Sequence, residues 1–269
     1  MARKSALITV MEQAARKAAV RLIRDFNDVE NLQVSKKGPA DFVSKADLRA
    51  EKVLTEELQR VRPKFGFLRE EGDPIIGEEA GTRWIIDPLD GTTNFLHGIP
   101  HFAISIGLER DGEIVAGVIL DPARDEMFWA EKGQGAFLNS RRLRVSGRHS
   151  LEAAVLATGI PHLGRDFREE FALELNALMP RVAGIRRMGS AALDMAYVAA
   201  GRYDGYWEHG LSAWDIAAGV VIVREAGGMV SDFRGRSGLP ADGHIVAANP
   251  ALHTPLLKVL RQAVAEGKG

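Results

Sequence analysis

The chain has 269 residues, 46% hydrophobic and 26% charged, with a formal net charge of −1. That is ordinary for a globular protein with ample core, and it carries no electrostatic footprint for nucleic acid or an anionic membrane. The absence of cysteine excludes disulfides, thiolate zinc sites, iron–sulfur clusters and a cysteine nucleophile.

Residues 5–26 read as an amphipathic packing helix, with Leu7, Met11, Ala14, Ala18, Leu22 and Phe26 at helical spacing. Glu12, Arg16, Lys17 and Arg21 interrupt any signal-peptide core, and the longest apolar run, 216–223, is too short for a bilayer. A cytoplasmic location is the expectation. A turn and a short extended piece follow over 36–43, and Ser44 begins a second helix that Arg62-Pro63 ends. Residues 64–68 form a short strand leading to Glu70-Glu71, and 72–82 read as a surface loop.

The apolar run Trp84-Ile85-Ile86 predicts a buried strand ending in Asp87-Pro88-Leu89-Asp90. Proline cannot donate to a ladder, so the strand is expected to stop there, with Gly91 turning the chain and Thr92-Thr93-Asn94 capping a short helix. The pattern then changes to period two. Strands over 102–109, 113–120, 126–131 and 135–138 form an antiparallel meander, Asp111-Gly112 makes its first hairpin, and 143–145 adds a further strand.

Beyond residue 146, helix and strand alternate. Strands are predicted over 153–158, 184–188, 203–207, 229–232 and 244–248. Helices are predicted over 166–179, 190–201, 214–225 and 252–265. The division suggests two halves, 1–145 as an α+β unit and 146–269 as an α/β unit.

Asp87 and Asp90 flank a proline, a pattern equally suited to a surface turn and to a divalent cation. Asp215, at the start of an apolar helix, fits either a charge favoured by the helix dipole or a third carboxylate on that cation. Glu70-Glu71, taken alone, read as an exposed acidic pair. His97, His101 and His209 lack zinc spacing on one helix, and Gly133-Gln134-Gly135 lacks the third glycine of a dinucleotide fingerprint. Neither a phosphate-binding loop ending in Gly-Lys-Ser/Thr nor a Gly-x-Ser-x-Gly elbow occurs.

The stretch Trp84-Ile85-Ile86-Asp87-Pro88-Leu89-Asp90-Gly91-Thr92-Thr93-Asn94-Phe95 resembles the signature of the inositol monophosphatase family. Trp214-Asp215-Ile216-Ala217-Ala218-Gly219, with Glu225-Ala226-Gly227-Gly228, resembles its second signature. Gly38-Pro39-Ala40-Asp41-Phe42-Val43 with Asp47 resembles its N-terminal segment, so the similarity covers nearly the whole chain, most closely in the bacterial branch. In that branch the metal-binding glutamate begins a pair ending a strand, which selects Glu70 over the look-alike Gly77-Glu78-Glu79; Gly72 stands where serine is usual.

The resemblance implies an α+β, layered α-β-α-β-α sandwich and a Mg²⁺-dependent phosphatase. Glu70, Asp87 and the Leu89 carbonyl are implied to hold one Mg²⁺, and Asp87, Asp90 and Asp215 a second. A weaker third ion is implied on Glu70 near Asp47. Thr92, hydrogen-bonded to Glu70 or Asp47, is implied to orient the attacking water, and the Gly91 and Thr92 N–H groups to cradle phosphate. Asp90, Ala191, Glu208 and Asp215 are implied to meet the substrate's hydroxyls. Lithium sensitivity and a homodimer are further implications. The expected substrate is an inositol monophosphate or related polyol phosphate, with no membrane or direct nucleic-acid partner. Rival substrates are a nucleoside 3′,5′-bisphosphate, fructose 1,6-bisphosphate and histidinol phosphate. The rival outside enzymes is a regulatory protein bound to transcription or ribosome-maturation machinery.

Overall fold

Ser5 opens the first helix by accepting the Ile8 N–H at 3.1 Å, and α1 runs Ala6–Phe26. The computed structural model describes residues 4–27, 34–36, 42–161 and 166–267. The strands β1 (Val34–Lys36) and β2 (Phe42–Ser44) pair antiparallel, and α2 (Lys45–Val61) follows directly. The turn expected between them, with Gly38-Pro39-Ala40-Asp41, lies outside the described residues.

Seven strands then form one sheet in chain order: β3 (Gly66–Arg69), β4 (Thr82–Asp90), β5 (Ala103–Arg110), β6 (Glu113–Asp121), β7 (Glu126–Glu131), β8 (Gly135–Leu138) and β9 (Arg141–Arg142). Only the β3–β4 pair is parallel. The meander expected from the period-two pattern is present. Its last strand lies earlier than the 143–145 expected: β9 ends at Arg142, and Leu143 turns into the core while its N–H donates to Ala136 O at 2.8 Å.

The larger departure is in β4. Pro88 does not end the strand, which continues to Asp90 through an irregularity in the ladder. Asp87 faces Ser105 and Asp90 faces Ala103, so three steps on β4 span two on β5. That one extra residue is a bulge, which tolerates a residue with no N–H to donate. It also has a geometric effect. Side chains three apart on a regular strand point to opposite faces, and one inserted residue brings the second back to the side of the first. Gly91, with φ at 92°, then starts the five-residue α3 (Thr92–Leu96) as its N-cap, the role expected of the threonines.

A second sheet takes the order β11 (Gly184–Arg186), β10 (Val155–Thr158), β12 (Gly205–Glu208), β14 (Ile245–Ala248), β13 (Met229–Ser231). The remaining helices are α4 (Arg168–Leu178), α5 (Ala191–Ala199), α6 (Ala213–Glu225) and α7 (Pro250–Gly267).

Strand alternation sorts the core into layers. Trp84 and Ile86 pack with α1 and α2, while Ile85 points the other way, to α5 and α6. The far face of the second sheet carries Leu156, Trp207 and Val246 against α4 and α7. The result is the α-β-α-β-α order. Residues 216–223 of α6 are all buried, as a helix between two sheets must be. Its approach to the large sheet depends on Gly107 and Gly117, which face each other across β5 and β6. A Cβ on Gly117 would lie 2.7 Å from the Ala218 carbonyl, and one on Gly107 2.9 Å from Ala217 Cβ. That close packing carries the first turn of α6, with Asp215, up to the large sheet.

Candidate active site

The bulge of β4, the end of β3, the end of β12 and the first turns of α5 and α6 meet around a cleft of about 360 Å³. Six carboxylates line it: Glu70, Asp87, Asp90, Asp166, Glu208 and Asp215. Leu89, Gly91, Thr92 and Ala191 line it as well. The site residues expected from sequence thus come together here, except Asp47, which is not in the cleft wall. Asp47 sits in the first turn of α2, fully buried. Its carboxylate offers an oxygen within 4.8 Å of oxygens from Glu70 and Glu71, a trio placed to hold a cation. Glu71 was missed by sequence reasoning, which credited one member of the pair. Glu78 and Glu79 are absent from both groups: Glu78 faces Lys64 at 3.9 Å and Glu79 accepts from Thr82 Oγ1 at 3.1 Å.

Four acids of the cleft, Asp87, Asp90, Glu208 and Asp215, are aimed by neutral donors. Leu89 N–H donates to Asp87 Oδ1 at 2.9 Å, folding the Asp-Pro-Leu turn back on itself. Ser190 Oγ–H and the Ala192 N–H, the latter at 2.8 Å, donate to Asp90 Oδ2, tying the N-terminus of α5 to β4. Ser212 N–H donates to Asp215 Oδ2 at 2.7 Å, so Asp215 caps α6 while facing the cleft. Tyr206 Oη–H donates to Glu208 Oε2 at 2.6 Å. Gly159 leaves room for that carboxylate, since a Cβ there would lie 2.0 Å from it.

One expected contact differs. Thr92 Oγ1–H donates to the Leu89 carbonyl at 2.9 Å, and not to Glu70 or Asp47. That carbonyl lies three residues before the hydroxyl, within the bulge. The Gly91 N–H, expected on a phosphate, lines the cleft beside the Asp90 carboxylate and helps hold its pKa down.

The charge pattern is unusual. Burial pushes the Asp87 carboxyl well above its ordinary range, and the charges of Glu70, Asp90, Asp215 and Asp47 push it further. Asp215 is raised by burial and by Asp90 and Glu70. Asp90 rises to about 6, burial outweighing the hydrogen bonds from Ser190, Ala192, Ala191 and Gly91. None of the hydrogen bonds and ion pairs of Asp87, Asp90 and Asp215 comes from a lysine or arginine among the described residues. Buried like charges without a cation are costly, so hard oxygen donors in this number fit a divalent metal ion.

Asn94 and Ser190 were also missed by sequence reasoning. Asn94 Nδ2–H donates to the carbonyls of His101 and Met188, both at 2.8 Å, and so joins α3 to the segment before α5. Asn94 was read only as part of a helix cap, and capping serines are common enough that nothing in the local sequence marks Ser190.

The profile described as "Inositol monophosphatase family" matches residues 3–265. Over 259 residues the chain is 57% identical to an inositol-1-monophosphatase of Mesorhizobium japonicum, covering 96% of this chain and 97% of that protein. It is 46% identical over 259 residues to the Nus factor SuhB of Pseudomonas aeruginosa, covering 95% and 96%. The crystal structure of extragenic suppressor protein suhB from Bartonella henselae superposes with a TM-score of 0.93 at 56% identity, covering 96% of this chain and 99% of that one.

Proposed function

The chain belongs to the inositol monophosphatase family, and from that premise we propose that it is a Mg²⁺-dependent enzyme hydrolysing inositol monophosphates, and related polyol phosphates, to the free alcohol and inorganic phosphate. The observation that carries the reading is the convergence of Glu70, Asp87, Asp90 and Asp215 on one cleft, with burial raising the three aspartates and like charge adding to it at Asp87 and Asp215.

Glu70, Asp87 and the Leu89 carbonyl would hold one ion in this reading, Asp87, Asp90 and Asp215 a second, and Glu70, Glu71 and Asp47 a third. Paired divalent ions stabilise both the attacking and the leaving oxygen of an in-line displacement. The Leu89 carbonyl has a second lone pair, so its bond from Thr92 leaves it able to serve as a ligand. With its hydrogen committed to Leu89, Thr92 Oγ1 accepts from the attacking water and so orients it. Glu70 takes the proton released from that water, with Asp47 behind it. The Thr92 N–H faces the phosphate. Ala191, Glu208, Asp90 and Asp215 meet the alcohol's hydroxyls, and the leaving alcohol takes its proton from solvent. No covalent phospho-enzyme forms.

The halves 1–145 and 146–269 share the site: the first supplies Glu70, Asp87 and Asp90, the second Ala191, Glu208 and Asp215. A homodimer and inhibition by lithium are part of the same reading. Among the described residues no helix is long and apolar enough to cross a membrane. The experiment is phosphate release from inositol 1-phosphate. Turnover that a chelator abolishes, Mg²⁺ restores and Li⁺ suppresses is expected; no release from any phosphate monoester with any divalent ion contradicts the assignment. The identity to Nus factor SuhB favours a second role, binding transcription machinery, which an Asp90→Asn variant should retain after losing turnover.

A further inference from the structure

The acids of the Asp47–Glu70–Glu71 trio come from two elements that must be held in register. Asp47 belongs to α2. Glu70 and Glu71 follow β3, whose last ladder pair is Arg69 with Ile86, so the sheet does not fix their backbone. Glu51 supplies the tie. It stands one helical turn after Asp47 on the same face of α2, and it is 5% exposed. Its Oε2 accepts the Glu71 N–H at 2.7 Å, and its Oε1 faces Arg69 Nη1 at 3.5 Å.

Arg69 closes the other side. Its Nε–H and Nη2–H both donate to the Asp73 carbonyl, at 3.1 and 2.5 Å, and fold the chain around Glu70-Glu71-Gly72. The guanidinium holds this turn with two nitrogens and meets Glu51 with the third, which the point charge of a lysine could not do. It also offsets the Glu51 charge, so the tie adds no net repulsion to the trio. A side chain at 72 would part the pair. A Cβ on Gly72 would lie 2.7 Å from Arg69 Cζ and 2.8 Å from Glu51 Oε1. This chain has glycine where the family resemblance leads one to expect serine, and the Arg69–Glu51 pair fills the space so left.

We propose that Glu51 and Arg69 are positioning residues for a divalent ion on Asp47, Glu70 and Glu71, and that glycine at 72 is the condition for their pairing. The inference rests on reading the trio as an ion site. Glu51 sets the distance from α2 to the Glu70–Glu71 backbone, and Arg69 sets the turn that carries both side chains. Together they bring three carboxylate oxygens close before any ion arrives, which lowers the ordering cost of binding.

The test titrates the full chain with Mn²⁺, without substrate, and counts bound ions from the electron paramagnetic resonance of the free ion. Wild type is expected to bind a third, weakest ion beside the two of the Asp87 cluster. Gly72→Ala and Glu51→Ala should each weaken that third ion about tenfold and spare the other two, within the range for groups that hold a metal ligand from behind. Glu51→Gln keeps an oxygen for the Glu71 N–H and should lose less than Glu51→Ala. The double variant Gly72→Ala/Glu51→Ala should bind no more weakly than the weaker single variant, because both changes break one tie. A general loss of folded protein lowers the number of sites and not the affinity of one of them. Unchanged affinity in both single variants, or losses that multiply in the double variant, overturns the inference and leaves the phosphatase reading intact. A wild type that binds two ions and never a third does the same, by removing the trio as a site. A wild type that binds no ion and leaves inositol 1-phosphate untouched overturns the phosphatase reading and this inference with it.

Discussion

Asp90→Asn should stabilise the metal-free protein while it destroys activity. In the folded state the Asp90 carboxyl is raised to about 6 from a reference of 3.8. An acid raised in this direction costs nothing below about pH 4, where it is protonated in both states, and destabilises the fold progressively as pH rises through 6. Two pH units correspond to about 3 kcal/mol at neutral pH, and the partial exposure of Asp90 trims this to roughly 1–3 kcal/mol. Asparagine removes the charge and keeps an oxygen to accept from Ser190 and the Ala192 N–H. Urea or thermal unfolding in chelator at pH 7.5 should therefore show the variant more stable than wild type, by about 2–4 °C in Tm per kcal/mol for a chain near this size. The advantage should vanish as pH falls to about 4. Added Mg²⁺ should reverse the order, since wild type gains the ion and the variant lacks one of its ligands. Turnover should fall at least about a hundredfold, the scale of losing one preorganised electrostatic group. A variant less stable than wild type at pH 7.5 in chelator would refute the claim that the buried Asp90 charge is a cost which a cation relieves.

Glu70→Gln should reduce kcat far more than Glu78→Gln, because Glu70 lines the cleft and Glu78 faces Lys64; steady-state kinetics showing the reverse order would mean the wrong glutamate pair was chosen. Tyr206→Phe should raise KM for a polyol phosphate about fivefold with a smaller change in kcat, the effect of losing one hydrogen bond of about 1 kcal/mol on Glu208. An unchanged KM would remove Glu208 from substrate recognition.

How far the structure could be read from the chain depended on whether a signal was local. The stripe Met11, Ala14, Ala18, Leu22 and the alternation across 102–131 are periodic patterns within one element, and both held. The layering followed from them once the family resemblance was added. Pro88 misled because proline removes a ladder donor wherever it stands, and only pairing with β5 shows that a bulge spares that donor. The Thr92 bond failed for the same reason: the bulge moves the Leu89 carbonyl into reach, and no one-dimensional pattern encodes that. The displacement of β9 turned on Leu143 finding a place in a core contributed by distant helices. His209 is the clearest case. Spacing set it apart from zinc chemistry and pointed to nothing else, because its partners Glu174, Phe233 and His244 lie 35, 24 and 35 residues away and meet only in the fold.

The account's central claim is that acids scattered from Glu70 to Asp215 share divalent ions. Crystals soaked with Mg²⁺ and inorganic phosphate test it most directly. Ions bound by Asp87, Asp90 and Asp215, and by Glu70 with the Leu89 carbonyl, with phosphate beside Thr92, are the predicted result. A cleft that takes up no ion at saturating Mg²⁺, or ions that leave Asp215 untouched, would contradict it.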